Sequence, residues 1–274
     1  MNKGFLVLAQ NSDVNYVRQA YFLALSLKQT QSTVNNISLV TNDKVPDEYA
    51  HVFDKIIPIP FGDHAENSTW KVENRWKLYH ATPYEETIVF DSDMLVLSDL
   101  KKIWQYVDGK DLFFTSHVKD YRGQTVFDKT YRKMFLENDL PNLYCGMFYF
   151  RKSDLASKFF KVLEFITYNW EKSYFEIAPK AAQKFFSMDV SSAIAAKILG
   201  IDDIIINKNS PFTFVHMKPA LQGWDPIPES FLSQSFVFFS KNKELFINHF
   251  KQSGVFHYVE DAFLTDKIIG SLNV

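Results

Sequence analysis

The stretch Ile88 to Leu97 reads "IVFDSDMLVL" and sets Asp91 and Asp93 one residue apart between apolar runs. Carboxylates so placed are costly to desolvate unless something cationic neutralises them. A divalent ion gripped by hard oxygen ligands answers that need, with water and a phosphorylated ligand filling the rest of its shell. The same pair also suits a plain turn, with "SDL" at Ser98 to Leu100 starting a helix. Asp-X-Asp alone is a weak pattern, and the apolar flanks are what sharpen it. Histidine can supply a further ligand. "GVFHYVED" puts His257 at the end of a late apolar run, and "FTFVHMKP" does the same with His216. Either could close a metal site assembled from distant parts of the chain; each also suits an ordinary core or surface position.

The elements around these residues alternate. "GFLVLAQ" (Gly4 to Gln10) predicts a buried strand, and "YVRQAYFLALSLKQ" predicts a helix from its apolar spacing. "ISLVTND" and "FDKIIPIP" predict two further strands, the second at an edge because of its prolines. "WKVENRWKLYHATP" predicts a helix that stops before Pro83, ahead of the strand Thr87 to Phe90. Strands that are near-continuous apolar runs, alternating with helices, indicate a mostly parallel sheet covered on both faces. Ligands of such sheets sit beyond the carboxyl ends of the strands, where Asp91 and Asp93 fall.

The second half is less regular. "NLYCGMFYFRKSD" predicts a strand, "LASKFFKVLEFITYNW" a helix, and "MDVSSAIAAKILG" a helix closed by Gly200. "IDDIIIN", "FTFVHM", "FVFF" and "GVFHYV" predict further strands. The polar run Ser116 to Asn142 is the best candidate for an insertion or mobile segment. The expected organisation is one domain over 1–274, with a nucleotide-binding half (1–100) and a half that completes the cleft (101–274).

At 274 residues, 46% of them hydrophobic, the chain can bury a substantial core. Thirty basic against 32 acidic residues leave no electrostatic case for nucleic acid or an anionic membrane as the main partner, a local basic patch aside. The single cysteine, Cys145, excludes an intrachain disulfide and a multi-cysteine metal site. No apolar run is long enough to span a bilayer, and the run in "MNKGFLVLAQNSD" is too short for a signal peptide core. A soluble, cytoplasmic protein is expected.

Taken in order and spacing, these segments resemble a GT-A-fold nucleotide-sugar glycosyltransferase, and are most similar to the glycogenin and lipopolysaccharide-galactosyltransferase group, family 8. "NSDVNYVRQAYFLALSLKQT" resembles that family's opening loop and helix, and "NRWKLYHATPYEETIVFDSDMLVLSDL" its helix, lysine and metal-binding strand. The resemblance implies a Rossmann-like α/β fold whose mostly parallel mixed sheet is flanked by helices. It implies that Asp91 and Asp93 grip Mn²⁺ or Mg²⁺, with Asp91 also reaching the ribose and Ser92 lying beside the donor. It gives Tyr16 the uracil ring, with Ala9, Gln10 and Asn11 lining the same pocket. Lys77 matches a lysine that contacts the donor near its phosphates or sugar.

Later matches are looser. Gly146 in "NLYCGMFYFRKSD" is a backbone match, while Asn142 stands displaced from it. Asp189 in "MDVSSAI" matches a family aspartate and is the candidate for stabilising the reacting centre, though Val190 replaces the usual glutamine. His257 is expected as the third metal ligand, and His216 as part of the donor or acceptor cleft. Trp70, Trp224 and Tyr121 are candidate sugar-stacking platforms.

The activity implied is transfer of a hexose from a UDP-sugar to a hydroxyl on a glycan, lipid-linked or protein acceptor, with retention of anomeric configuration. The alternatives are an inverting GT-A enzyme, a sugar nucleotidyltransferase and a catalytically silent nucleotide-sugar or carbohydrate-binding protein. The nucleotidyltransferase reading wants a glycine-rich phosphate loop after the first strand, and "AQNSDVNY" has no glycine.

Overall fold

Apolar runs bounded by polar turn residues become strands, and their alternate residues face two different cores. The computed structural model describes residues 2–66, 68, 71–116, 118–125, 132–206, 214–216, 235–258 and 261–272, without the side chains of Val215 and His216. Its strands are β1 (Lys3–Leu8), β2 (Ile37–Val40), β3 (Lys55–Ile57), β4 (Glu86–Asp91), β5 (Met94–Val96) and β6 (Leu112–Thr115). They continue with β7 (Tyr144–Arg151), β8 (Phe214–His216), β9 (Val237–Phe239), β10 (Leu245–Ile247), β11 (Phe250–Lys251) and β12 (Val255–His257).

The main sheet has the order β3-β2-β1-β4-β7-β6. Strands β3, β2, β1 and β4 are parallel, and β7 runs antiparallel between β4 and β6. β3 is at the edge, where its prolines predicted it. On one face, Leu6, Val89, Phe148 and Phe150 pack with the helices Asp154–Tyr168 and Met188–Leu199. On the other, Phe5, Val7, Ile88, Phe90 and Tyr149 pack with the helices Tyr16–Thr30 and Lys101–Tyr106. Each fully buried phenylalanine contributes roughly 1.5–3 kcal/mol of transfer free energy. This is the mixed, helix-flanked α/β sheet expected from the sequence.

Two smaller sheets complete the described residues. β5 pairs antiparallel with β12, and β12 pairs parallel with β8. β9, β10 and β11 form an antiparallel meander. "MLVL" therefore leaves the main sheet straight after the two aspartates and joins a strand from the far end of the chain.

Helix ends follow their capping residues. Asn15 Oδ1 accepts from the Arg18 N–H at 2.9 Å and starts Tyr16–Thr30. Ser187 caps Met188–Leu199, which ends at Gly200 with φ 63°, a left-handed conformation natural to glycine.

Two expectations are corrected. "IDDIIIN" forms a one-turn helix, Asp202–Ile205, instead of a strand. Ile205 is buried while Ile204 is exposed, so the apolar run does not have two covered faces to pack between. "WKVENRWKLYHATP" yields only a 3₁₀ turn, Arg75–Lys77, and a one-turn helix, Leu78–Ala81. The polar run from Ser116 contains the short helix Lys133–Glu137, with Met134 and Phe135 buried. Among the described residues, no helix is long and apolar enough to cross a membrane.

Candidate functional site

Parallel pairing of β1 with β4 sets Leu8 opposite Asp91, so Ala9–Asn11 and the acidic pair leave the sheet at the same edge. The chain then turns through buried Ser92 into β5, whose Met94 pairs with His257 of β12. The Tyr258 N–H donates to the Asp93 carbonyl at 3.1 Å and fixes that register. The imidazole of His257, 4% exposed, brings Nε2 to 2.9 Å from Asp93 Oδ2. Ligand atoms of Asp91, Asp93 and His257 all lie within 4.8 Å of one another. Two carboxylates and one imidazole are a donor set that fits Mn²⁺ or Mg²⁺ chemically. His216 stands opposite His257 in the β8–β12 register; its side chain lies outside the described residues.

Among the described residues, Arg75 sets a cation against Asp91. Its guanidinium pairs with the Asp91 carboxylate and donates to the Cys145 carbonyl at 3.1 Å. Burial pulls the Arg75 pKa down, but Asp91, helped by Cys145, Asp189 and Asp93, holds it above its ordinary value, so the charge is secure. Reading the sequence passed over Arg75, although it lies inside the quoted "NRWKLYH". The signal was the burial cost of Asp91, which already demanded a positive partner.

Lys77 does not join them. It is 1% exposed, donates to the Gly62 carbonyl, and reaches Asn74 Oδ1 at 2.6 Å. Burial lowers its pKa, with Asp63 opposing. Lys77 thus belongs to a polar network that also takes in the expected base-pocket residue Gln10. Asn74 Nδ2 donates to Gln10 Oε1 at 2.8 Å and to Asp63 Oδ1 at 2.6 Å, and Gln10 Nε2 donates to Asp63 Oδ2 at 2.8 Å. Asn74 is the junction of this network, and its side-chain bonds hold the backbone in the turn that replaces the expected long helix.

Ala9 is fully buried, and its N–H donates to the Val40 carbonyl. Asn11 Oδ1 accepts from the Val17 N–H at 3.0 Å, bending the loop back onto the first turn of Tyr16–Thr30. Tyr16 therefore opens that helix at the acidic edge. Its phenol is pushed above its usual pKa by burial first, and then by the nearby charges of Asp93 and Asp91. On β7, a Cβ added to Gly146 would lie 2.8 Å from Met94 Cε and 3.3 Å from Asp91 Oδ2. A side chain there would press on Asp91 unless Met94 and Asp91 shift by a few tenths of an ångström.

Asp189 sits behind this edge. Arg132 Nη1 donates to Asp189 Oδ2 at 2.8 Å, and the Cys145 N–H donates to Oδ1 at 2.8 Å. Arg132 is 3% exposed, lies over the Tyr144 ring at 3.7 Å, and gives its Nε–H to Asn142 Oδ1 at 2.8 Å. Both Arg132 and the displaced Asn142 are thus bound into a brace. Of the candidate stacking aromatics, Tyr121 packs edge-on against Phe250, and Trp70 and Trp224 lie outside the described residues.

No protein-family model matches the chain. No curated protein matches it either. Among solved structures, it is similar to the apo form of the bifunctional glycosyltransferase WbbM, at 14% identity over 99% of this chain and 50% of that one, with a TM-score of 0.53. It is also similar to apo mouse xyloside xylosyltransferase 1, at 11% identity over 76% and 84% of the two chains, TM-score 0.48. A third is the galactosyltransferase LgtC with donor and acceptor sugar analogs, at 11% identity over 71% and 70%, TM-score 0.44. The chain spans half the length of the WbbM chain. Identities this low speak to architecture, and the WbbM superposition, over nearly the whole chain, carries that conclusion. The fold is that of GT-A glycosyltransferases.

Proposed function

We propose that the chain is a metal-dependent glycosyltransferase that moves a hexose from a UDP-sugar to a hydroxyl acceptor with retention of anomeric configuration. The observation that carries this reading is the convergence of Asp91, Asp93 and His257 at the carboxyl edge of a GT-A sheet, with Arg75 beside them.

Asp91, Asp93 and His257 hold the divalent ion. When bound, Mn²⁺ or Mg²⁺ supplies Lewis-acid stabilisation of the charge that develops on the departing diphosphate. Arg75 is a fixed guanidinium at the same edge and offers bidentate donors to phosphate oxygens. It takes the phosphate-facing part first expected of Lys77, while Lys77 braces the loop at Gly62. Tyr16 presents its ring to the uracil, and the Ala9–Asn11 loop, stiffened through Gln10 and Asn11, lines that pocket. Ser92 sits between the two acidic ligands, under the donor. Asp189, paired with Arg132, orients the reacting centre through the Cys145 N–H, whose hydrogen bond it accepts, next to Gly146. His216, beside His257, serves the donor or acceptor cleft.

Preorganised charge of this kind accelerates a reaction because it costs no reorganisation as the bond breaks. The acceptor hydroxyl then approaches the face the diphosphate leaves, and the product anomer reports the stereochemistry. A thermal-shift panel of nucleotide sugars with and without Mn²⁺ tests the reading. UDP or a UDP-sugar should raise the melting temperature by mass action only when the ion is present. No shift with any nucleotide, or the same shift without metal, overturns it.

A further inference from the structure

Asn74, 1% exposed, uses every hydrogen-bonding position of its side chain. Its Nδ2 donates to Gln10 Oε1 at 2.8 Å and to Asp63 Oδ1 at 2.6 Å. Its Oδ1 accepts from Lys77 Nζ at 2.6 Å and from the His64 N–H at 3.1 Å. Gln10 Nε2 closes the ring by donating to Asp63 Oδ2 at 2.8 Å. Each amide has one admissible orientation here. Turning that of Gln10 over would set its oxygen against the Asp63 carboxylate and its nitrogen against that of Asn74.

The two arms of this cluster lead to separate parts of the donor edge. Gln10 continues into Asn11, whose N–H donates to Asp43 Oδ2 at 2.7 Å. Asn11 Oδ1 in turn takes the Val17 N–H at the start of the helix that carries Tyr16. Asn74 continues into Arg75, which reaches Asp91 and the Cys145 carbonyl. The Lys77 N–H donates to the Asn74 carbonyl at 3.0 Å and keeps this turn tight. Lys77 Nζ and the Asp63 side chain also hold the loop between the arms, through the Gly62 carbonyl and the Ala65 N–H. His64 Nδ1 lies 2.6 Å from the Tyr168 hydroxyl and ties that loop to Asp154–Tyr168. An apolar filling would occupy the same space without burying charged groups. A satisfied polar network instead fixes the geometry of whatever is attached to it.

We propose that Asn74 is a positioning residue for donor binding. Without touching the nucleotide, it holds the Gln10–Asn11 loop and the Arg75 guanidinium at the separation that a nucleoside diphosphate spans. The assignment rests on the glycosyltransferase reading and adds to it a source of nucleotide affinity. A pocket fixed before its ligand arrives spares the cost of ordering on binding. Loss of the lock therefore weakens ground-state and transition-state binding alike, and leaves the bond-breaking step to the metal site.

Calorimetric titration of UDP into the full chain in Mn²⁺ tests the assignment. Asn74→Ala should raise the UDP dissociation constant about tenfold, with the number of sites per chain unchanged. A merely structural defect would do the reverse, lowering the number of competent sites at unchanged affinity. Asn74→Asp should weaken binding at least as much, since it removes both donors and sets a second carboxylate against Asp63. Combining it with Asp63→Asn makes amide and carboxylate change places. A flipped Gln10 amide then closes the same ring, and most of the lost affinity should return. That pair keeps every polar position filled, so it decides the matter where Asn74→Ala does not fold. Equal UDP affinity in wild type and Asn74→Ala, or no recovery in the double variant, overturns the proposal while the glycosyltransferase reading stands. Absence of UDP binding by the wild type strikes that reading itself, and this proposal with it.

Discussion

Two arginine–aspartate pairs meet at one residue of β7, one through its carbonyl and the other through its N–H. Arg75 pairs with Asp91 and donates to the Cys145 carbonyl; Arg132 pairs with Asp189, which accepts the Cys145 N–H. The second pair is closed. Arg132 spends its remaining donors on Asn142 and the Leu143 carbonyl, between the rings of Tyr144 and Phe135. The first pair is open, because a second carboxylate, Asp93, and the imidazole of His257 share its space. That shared space, with its two carboxylates and imidazole, is where the proposed divalent cation would bind.

The largest effect should come from the open side. Asp93→Ala should cut UDP release from a UDP-hexose by about 10³-fold or more, while the circular dichroism stays native. Arg75→Ala should follow at about 10²-fold, read as kcat/KM for the donor, because one fixed positive group facing the diphosphate is lost. The closed side should break differently. Arg132→Ala leaves Asp189 and the Leu143 carbonyl short of donors and should cost about 3 kcal/mol in urea unfolding. Equal stability losses for the Arg75 and Arg132 variants would erase the distinction between the two pairs.

Gly146→Ala sharpens the boundary between them. Its methyl group presses on Met94 and Asp91, and should cost roughly 1–3 kcal/mol of overpacking unless Met94 gives way. In that case, weaker Mn²⁺ binding is the readout. The smallest effect concerns the network behind the loop. Burial works to raise the Asp63 pKa, but hydrogen bonds from Asn74, the Ala65 N–H and Gln10 outweigh it and hold the carboxyl below its ordinary 3.8. Its contribution to stability is present above 3.8 and lost as pH falls through the lower folded value. Asp63→Asn should flatten that acid limb by a fraction of the total stability, seen as a melting temperature that changes less between neutral and acid pH.

Much of the architecture of the first hundred residues was legible because it follows from short-range pattern. The run "TIVF" fixes β4, and the parallel strands fix which end carries Asp91 and Asp93. The edge position of β3 followed from its prolines. What could not be read from local sequence was side-chain partnership. Nothing near Lys77 says that it turns to Gly62 while Arg75, two residues earlier, turns to Asp91. Asp189 gave no sign of Arg132, which comes from a polar stretch 57 residues away. The short helix at Asp202–Ile205 also escaped, because an apolar run of that length suits either structure until the surrounding burial is known.

Calorimetric titration of Mn²⁺ into the protein with saturating UDP tests the central idea most directly, with His257→Ala and Asp93→Ala alongside. One ion should bind the wild type, and both variants should lose that binding by at least about tenfold while unfolding at wild-type denaturant concentrations. Undiminished Mn²⁺ affinity in the folded Asp93→Ala protein would contradict the account.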